Sequence, residues 1–151
     1  MNPPMMNLPK YVPPATTVRA LIAQHARTQP DAVFAMFPET QAELSYKALE
    51  QEVQQYAAQF YALGLAQGDT VSYMMGNGRS ALVLFLSALY AGLIVSPLNP
   101  AAGPEQITYV LQHSDTKLVF VSPNFKAVVD QAQSASAIAI PTVECDEDCG
   151  P

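Results

Sequence analysis

The chain reads as an α/β protein built on a mostly parallel sheet with flanking helices. Three observations carry this. Segments with apolar residues at a 3.6-residue period alternate with short apolar runs of four to six residues. Gly64, Gly92 and Pro97 punctuate that alternation where one element must hand over to the next. Half of the 151 residues are hydrophobic and only 13% are charged, against about 25% in an ordinary soluble domain. A chain of this length buries roughly 70% of its extended surface, enough for a core without covalent staples.

Met1 to Pro14 contains Pro3, Pro4, Pro9, Pro13 and Pro14, one lysine (Lys10) and no apolar h-region. It is not a secretory signal. Proline at this density excludes helix, so residues 1–15 read as a flexible, extended lead-in. Thr17 is placed to cap a helix with Val18, Leu21, Ile22 and Ala26 on one face. Ala32 to Phe37 reads as a strand and Pro38 to Glu43 as a polar turn. Ser45 then caps a helix aligning Leu49, Val53, Tyr56, Ala57, Phe60 and Leu63, stopped at Gly64. Gln67-Gly68-Asp69 turns the chain into a strand, Thr70 to Met75.

Arg79 to Ala91 predicts a helix, Gly92 its stop, and Leu93 to Ser96 a buried strand halted by Pro97. Ala81 to Val95 imitates a membrane span, but a span needs about 20 apolar residues and this one breaks at Pro97. A helix beginning at Pro104-Glu105 turns Ile107, Val110 and Leu111 inward. Lys117 to Val121 is a strand of the buried type, Ser122-Pro123 opens another helix, and Ile138 to Ile140 offers one more short strand. Strands separated by helices imply parallel pairing through right-handed crossovers. The α/β unit is expected over residues 16–143, with an unstructured acidic tail over 144–151.

The net charge of −6 is unevenly placed, because Glu144, Asp146, Glu147 and Asp148 fall in that tail and leave the body at −2. Without a Lys/Arg cluster, nucleic acid is excluded as the expected partner. Cys145 and Cys149 both lie at the end, so the fold does not rest on a disulfide framework, and a cytoplasmic setting is expected.

Four groups of residues invite a functional reading. Gly76-Asn77-Gly78-Arg79-Ser80-Ala81 follows a strand, opens a helix and fits the permissive G-x-G-x-x-A dinucleotide pattern. The next strand ends in Ser96-Pro97-Leu98-Asn99, however, without the carboxylate a ribose needs. A tight βα turn that uses glycine for its backbone angles is favoured. His113-Ser114-Asp115 holds the residue types of a hydrolase triad, but sequence neighbours do not converge as a triad requires, and a helix-to-strand turn is favoured. His25 lacks a visible partner and reads as a half-exposed helix residue. Cys145-Asp-Glu-Asp-Cys149 does not have C-x2-C spacing and has no second ligand pair, so no metal site is expected.

The order of these pieces resembles the N-terminal region of the adenylate-forming (AMP-binding) superfamily, which includes acyl-CoA synthetases, luciferase-type ligases and peptide-synthetase adenylation domains. Leu44-Ser45-Tyr46-Lys47-Ala48-Leu49 resembles its L-T/S-Y-x-E-L. Leu63-Gly64-Leu65-Ala66-Gln67-Gly68-Asp69-Thr70-Val71 resembles L-G-v-x-x-G-D-x-V, and Asn77 falls on the asparagine of the P-N-s stretch. Leu89 to Pro100 resembles the A-G-a-v-x-x-P-l-n-p block, and Pro104 to Val121 the helix and strand after it. The resemblance covers about Thr16 to Val121.

Three departures qualify it. Ala48 replaces the glutamate that completes a capping box with Ser45, a loss of about 0.5 kcal/mol. Gly76 and Gly78 replace proline and a small polar residue. The Ser/Thr/Gly-rich phosphate loop ending in P-K-G, which follows this region in the family, does not occur between Met1 and Pro151, nor do the later ribose and lysine segments.

The resemblance therefore implies the scaffold portion of an ATP-dependent acid–thiol ligase, inactive alone, with no catalytic, cofactor-binding or metal residue of its own. ATP, Mg and coenzyme A are implied only for the full-length family, and the partner expected is the missing C-terminal remainder or a second copy. A free-standing interaction module is the alternative, and a dinucleotide-binding domain a weaker one.

Overall fold

The computed structural model describes residues 15–136 and 139–146. Expectations for Met1 to Pro14, Ile138 and Glu147 to Pro151 lie outside these. The elements run α1 (Val18–Thr28), β1 (Val33–Phe37), β2 (Ala42–Ser45), α2 (Tyr46–Ala62), β3 (Thr70–Met74), α3 (Arg79–Ala91), β4 (Ile94–Pro97), α4 (Pro104–His113), β5 (Thr116–Val121), α5 (Pro123–Ser136) and β6 (Thr142–Glu144). The caps are those expected: Thr17 Oγ1 accepts from the Ala20 N–H at 3.1 Å, and Ser45 Oγ from the Ala48 N–H at 3.2 Å.

The main sheet is wholly parallel, in the order β4-β3-β5-β6. Strand alternation divides its side chains between two cores. Leu118 and Phe120 join Val71, Phe60 and Ala57 of α2, and Leu84 and Ala88 of α3 on one face. Val119 and Val121 join Met74, Ile107 and Leu111 of α4, and Val129 and Ala132 of α5 on the other. β3 and β5 are thus covered on both sides, as a parallel sheet requires. A third cluster joins Ile22, Phe37, Leu44, Leu49, Val53 and Val83. It fixes α1 and the first two strands to α2 and α3.

Several expectations need correction. β1 and β2 do not enter the main sheet; they form a separate antiparallel ribbon with a register shift between Val33 and Ala35. Four polar residues between two apolar runs are enough for a hairpin, so no crossover is needed. Leu63 is 52% exposed rather than inward, because the helix has already ended.

The strand expected at Leu93 to Ser96 is neither central nor halted before Pro97. Pro97 pairs with Tyr73 in an edge strand whose Ile94 is 55% exposed. The N–H groups of Ile94 and Leu98 donate inward to Asp69 and Tyr73 carbonyls at 2.9 and 2.8 Å. Val95 and Pro97 therefore direct their backbones outward, and a proline there removes an edge donor without costing a ladder bond.

The last strand is Thr142–Glu144, two residues beyond the expected end at Ile140. Gln133 of α5 anchors its approach, donating to Thr142 Oγ1 at 3.0 Å and accepting from the Ile140 N–H at 3.1 Å. The acidic tail expected from residue 144 is corrected accordingly. Glu144 pairs with Val121, the Cys145 N–H donates to the Val121 carbonyl at 2.9 Å, and Cys145 is buried against the Phe60–Phe120 core.

The apparent membrane span resolves into α3, the Gly92 turn and β4. No helix among the described residues is long and apolar enough to cross a membrane. Gly92 takes φ 79°, and the Leu93 N–H reaches back to the Ala88 carbonyl at 2.9 Å, satisfying an otherwise orphaned helix-end acceptor. A Cβ at Gly92 meets Gln67 Cγ at 3.1 Å. Gly92→Val should therefore lose about 1–3 kcal/mol, from a β-branched residue held at positive φ. Urea midpoints of variant and parent that coincide would exclude this strain.

The Cys145 thiol is pushed up to about 11, first by burial and then by the Glu144 carboxylate. The unfolded thiol loses its proton nearer 9, so between these values the unfolded chain holds fewer protons than the folded one. This contribution is fully present below pH 9 and is lost as pH rises through 11. Urea unfolding across pH 8–11 should show a shallower alkaline loss in Cys145→Ala than in the parent; equal slopes would contradict the shift.

Candidate functional site

In this strand order the chain leaves β3 toward β4, then crosses back to place β5 on the other side of β3. The loops after β3 and β5 diverge, and the carboxyl end of this pair is where an open α/β sheet has its crevice. Two segments meet there: Met75-Gly76-Asn77-Gly78, leading into α3, and Ser122-Pro123, leading into α5. The Ser122 N–H donates to the Met74 carbonyl at 3.0 Å.

The glycine turn does not have the character expected of it. Gly78 caps α3 with φ −175° and ψ −174°, an extended backbone open to any residue, and no side chain caps the helix. Neither Gly76 nor Gly78 takes positive φ; among the described residues the glycines that do are Gly64, Gly68 and Gly92. The favoured reading of a turn needing glycine for its angles is thus corrected. Arg79, the one charge in the turn sequence, is tied to Glu52 of α2 and lies over the Phe37 ring, its guanidinium carbon 5.9 Å from the centroid. A guanidinium already neutralised by a carboxylate offers little to a phosphate. Beside this pair, Tyr56 is pushed up to about 12, chiefly by burial and then by the thiol of Cys145 and by Glu52, with Arg79 acting in the opposite direction. Burial also raises Tyr73.

The remaining candidates stay apart. The Nδ1 of His113 lies 2.7 Å from the Tyr109 carbonyl, and its ring stacks on that of Tyr109 at 4.2 Å. Ser114 Oγ pairs instead with Thr116 Oγ1 at 2.6 Å, and Asp115 occupies the turn at φ 53°. The three residues form a connection and not a triad. His25 stacks on Tyr46 at 4.8 Å and pairs with Gln29 at 2.7 Å. Among the described residues no three His, Cys, Asp or Glu side chains gather as a metal site. Cys145, protonated at neutral pH and buried, is neither nucleophile nor metal ligand.

Sequence reasoning missed a groove of about 510 Å³ between the β1–β2 turn and the first half of α3. Met36, Phe37 and Pro38 form one wall, Ala81, Leu82 and Phe85 the other, and Tyr73 and Asn77 lie at its end. Met36 is 68% exposed. The alternation within β1, with Phe37 inward and Met36 outward, was the available signal; the approach of α3 was not.

The comparisons agree with one another. Residues 22–149 match the family described as AMP-binding enzyme. The sulfoacetate–CoA ligase of Cupriavidus necator is 34% identical over 127 residues, which are 84% of this chain and 25% of that protein. An uncharacterized protein of Mycobacterium tuberculosis (strain H37Rv) is 29% identical over 136 residues, 90% of this chain and 75% of that one. Among solved structures, a fatty acyl CoA synthetase of Mycobacterium tuberculosis superposes with a TM-score of 0.78 at 23% identity, covering 87% of this chain and 27% of that one. The luciferase-like enzyme of the mealworm Zophobas morio gives 0.82 at 12% identity, with 91% and 33% covered. The chain spans about a quarter of the curated ligase it matches. With two covered faces on a parallel sheet and a match over 22–149, the chain belongs to the AMP-binding enzyme family and corresponds to the N-terminal portion of its acyl-CoA ligases.

Proposed function

We propose that this chain is the N-terminal scaffold of an acyl-CoA-synthetase-like ligase that activates an organic acid with MgATP and passes it to coenzyme A. The observation that carries this is the family match over residues 22–149 on a chain spanning only a quarter of a curated ligase. In such a ligase this unit would supply sheet and helices, while the donors for the triphosphate and the thiol would come from the rest of the polypeptide.

The chain's own residues do not fit a triphosphate. That ligand needs converging backbone donors and an available cation. The glycine turn presents an extended Gly78, and its Arg79 is held by Glu52. A net charge of −6 adds long-range repulsion of a tetra-anion. ATP, Mg and coenzyme A therefore belong, in this reading, to the complete ligase and not to this unit. Fatty acid metabolism in the cytoplasm is the setting it suggests.

A second reading is a free-standing interaction module on the same scaffold. The Mycobacterium tuberculosis relative, of which this chain covers 75%, supports it. A dinucleotide-binding role has less support, because the turn that suggested it lacks both a ribose carboxylate and a free cation.

Calorimetric titration of the chain with MgATP, and with NAD, should show no saturable binding, and carboxylate-dependent pyrophosphate exchange should be absent. A chimera in which this chain replaces the N-terminal quarter of the Cupriavidus necator ligase should recover exchange. Exchange by the chain alone would overturn the scaffold reading; nucleotide binding that Gly78→Leu abolishes without unfolding would favour the dinucleotide one. An inactive but folded chimera would favour the interaction module.

A further inference from the structure

We propose that the β1–β2 ribbon and the groove beside it form the docking surface for the polypeptide that follows this region in full-length AMP-binding ligases, joined in cis or supplied as a separate chain. The inference rests on the scaffold reading and assigns it a surface.

The occupant is set by what the relatives possess in addition. This unit makes up 27% and 33% of the two solved neighbours and 25% of the curated ligase, so most of each fold must pack onto it somewhere. The faces of the main sheet are taken by α2 and α3 on one side and α4 and α5 on the other. The β4 edge is weakened as an acceptor of a further strand, because Pro97 directs outward a backbone position that has no N–H.

The ribbon is different. It consists of two strands only, and a two-stranded ribbon is marginal without a third strand or a covering layer. Its inner side is anchored through Phe37 and Leu44. Its outer side leaves Met36 68% and Val33 46% exposed. Directly beside Met36 lies the groove of about 510 Å³, with Phe37, Leu82 and Phe85 in its walls. An exposed strand with an aromatic-lined groove next to it fits an incoming extended segment, which gains main-chain hydrogen bonds along the strand and side-chain burial in the groove. Charge hardly opposes this, since Arg79 at the inner wall is already paired with Glu52.

The test uses the remaining three quarters of the Cupriavidus necator ligase, expressed separately and titrated with the intact chain. The same substitutions are also placed in the chimera described above. Met36→Glu should leave the isolated chain's urea midpoint unchanged, because the side chain is exposed. It should weaken the complex at least tenfold and reduce the chimera's exchange activity. Ile94→Glu, on the β4 edge, should alter neither. Amide exchange at Val33–Phe37 and Ala42–Ser45 should slow in the complex.

A complex or an active chimera indifferent to Met36→Glu would overturn the surface while leaving the scaffold reading intact. A complex broken by Ile94→Glu instead would place docking on the sheet edge and overturn it equally. With neither complex nor active chimera, both readings fall. Concentration-dependent dimers of the chain alone, abolished by Met36→Glu, would make a second copy the occupant and overturn the proposed one.

Discussion

Everything in this molecule depends on burying β3 and β5 from both sides. A parallel sheet cannot leave a face to water, so each strand must carry two apolar stripes, and each stripe must meet a helix layer. Phe120 stacks edge-on to Phe60 of α2, their centroids 5.7 Å apart, while its neighbours Val119 and Val121 face α4 and α5. The few polar groups admitted to this region satisfy one another. Ser72 in the middle of β3 pairs with Thr116 Oγ1 at 2.7 Å, which in turn meets Ser114. Burying two hydroxyls this way avoids the desolvation cost each would carry alone.

The same constraint accounts for the low charge content. Side chains directed into two cores cannot be charged, and the remaining charges are few enough that their placement matters. Arg79 and Glu52 illustrate it. They come from separate helices and join α2 to the start of α3, and the pair is only about a quarter exposed. Removing either partner would strand the other near Phe37 and the half-buried Tyr56. The position most suggestive of ligand chemistry in the sequence is occupied by a structural tie.

The division of labour within the family follows from this economy. A unit whose glycine turn, histidines and thiol are all engaged in holding their own backbone and neighbours has no group left to polarise a phosphate or activate a nucleophile. It does have a hairpin that its own core covers on one side only. Scaffold and unfinished surface are two consequences of one design, in which the sheet is completed internally and the ribbon is left for another part of the fold.

Sequence by itself determined what depends on local chemistry. Thr17 and Ser45 were legible as caps and Gly64 and Gly92 as helix stops, while the helix at Arg79–Ala91 was legible from its uninterrupted apolar run, because each of these is a backbone requirement met within a few residues. The family resemblance was legible for the same reason, since its words are mostly such punctuation. Tertiary structure alone decided how strands pair. Nothing within four apolar residues distinguishes an edge strand from a central one, so β4 was misread as buried. The ribbon separated from the sheet through a hairpin that periodicity does not reveal. Cys145 was drawn out of an acidic run into the core because β5 needed a neighbour on its far side. The candidate site followed the same rule: its residues could be named one by one, but Glu52 stands 27 positions from Arg79, and only the packing of α2 on α3 brings that carboxylate to the turn and neutralises it.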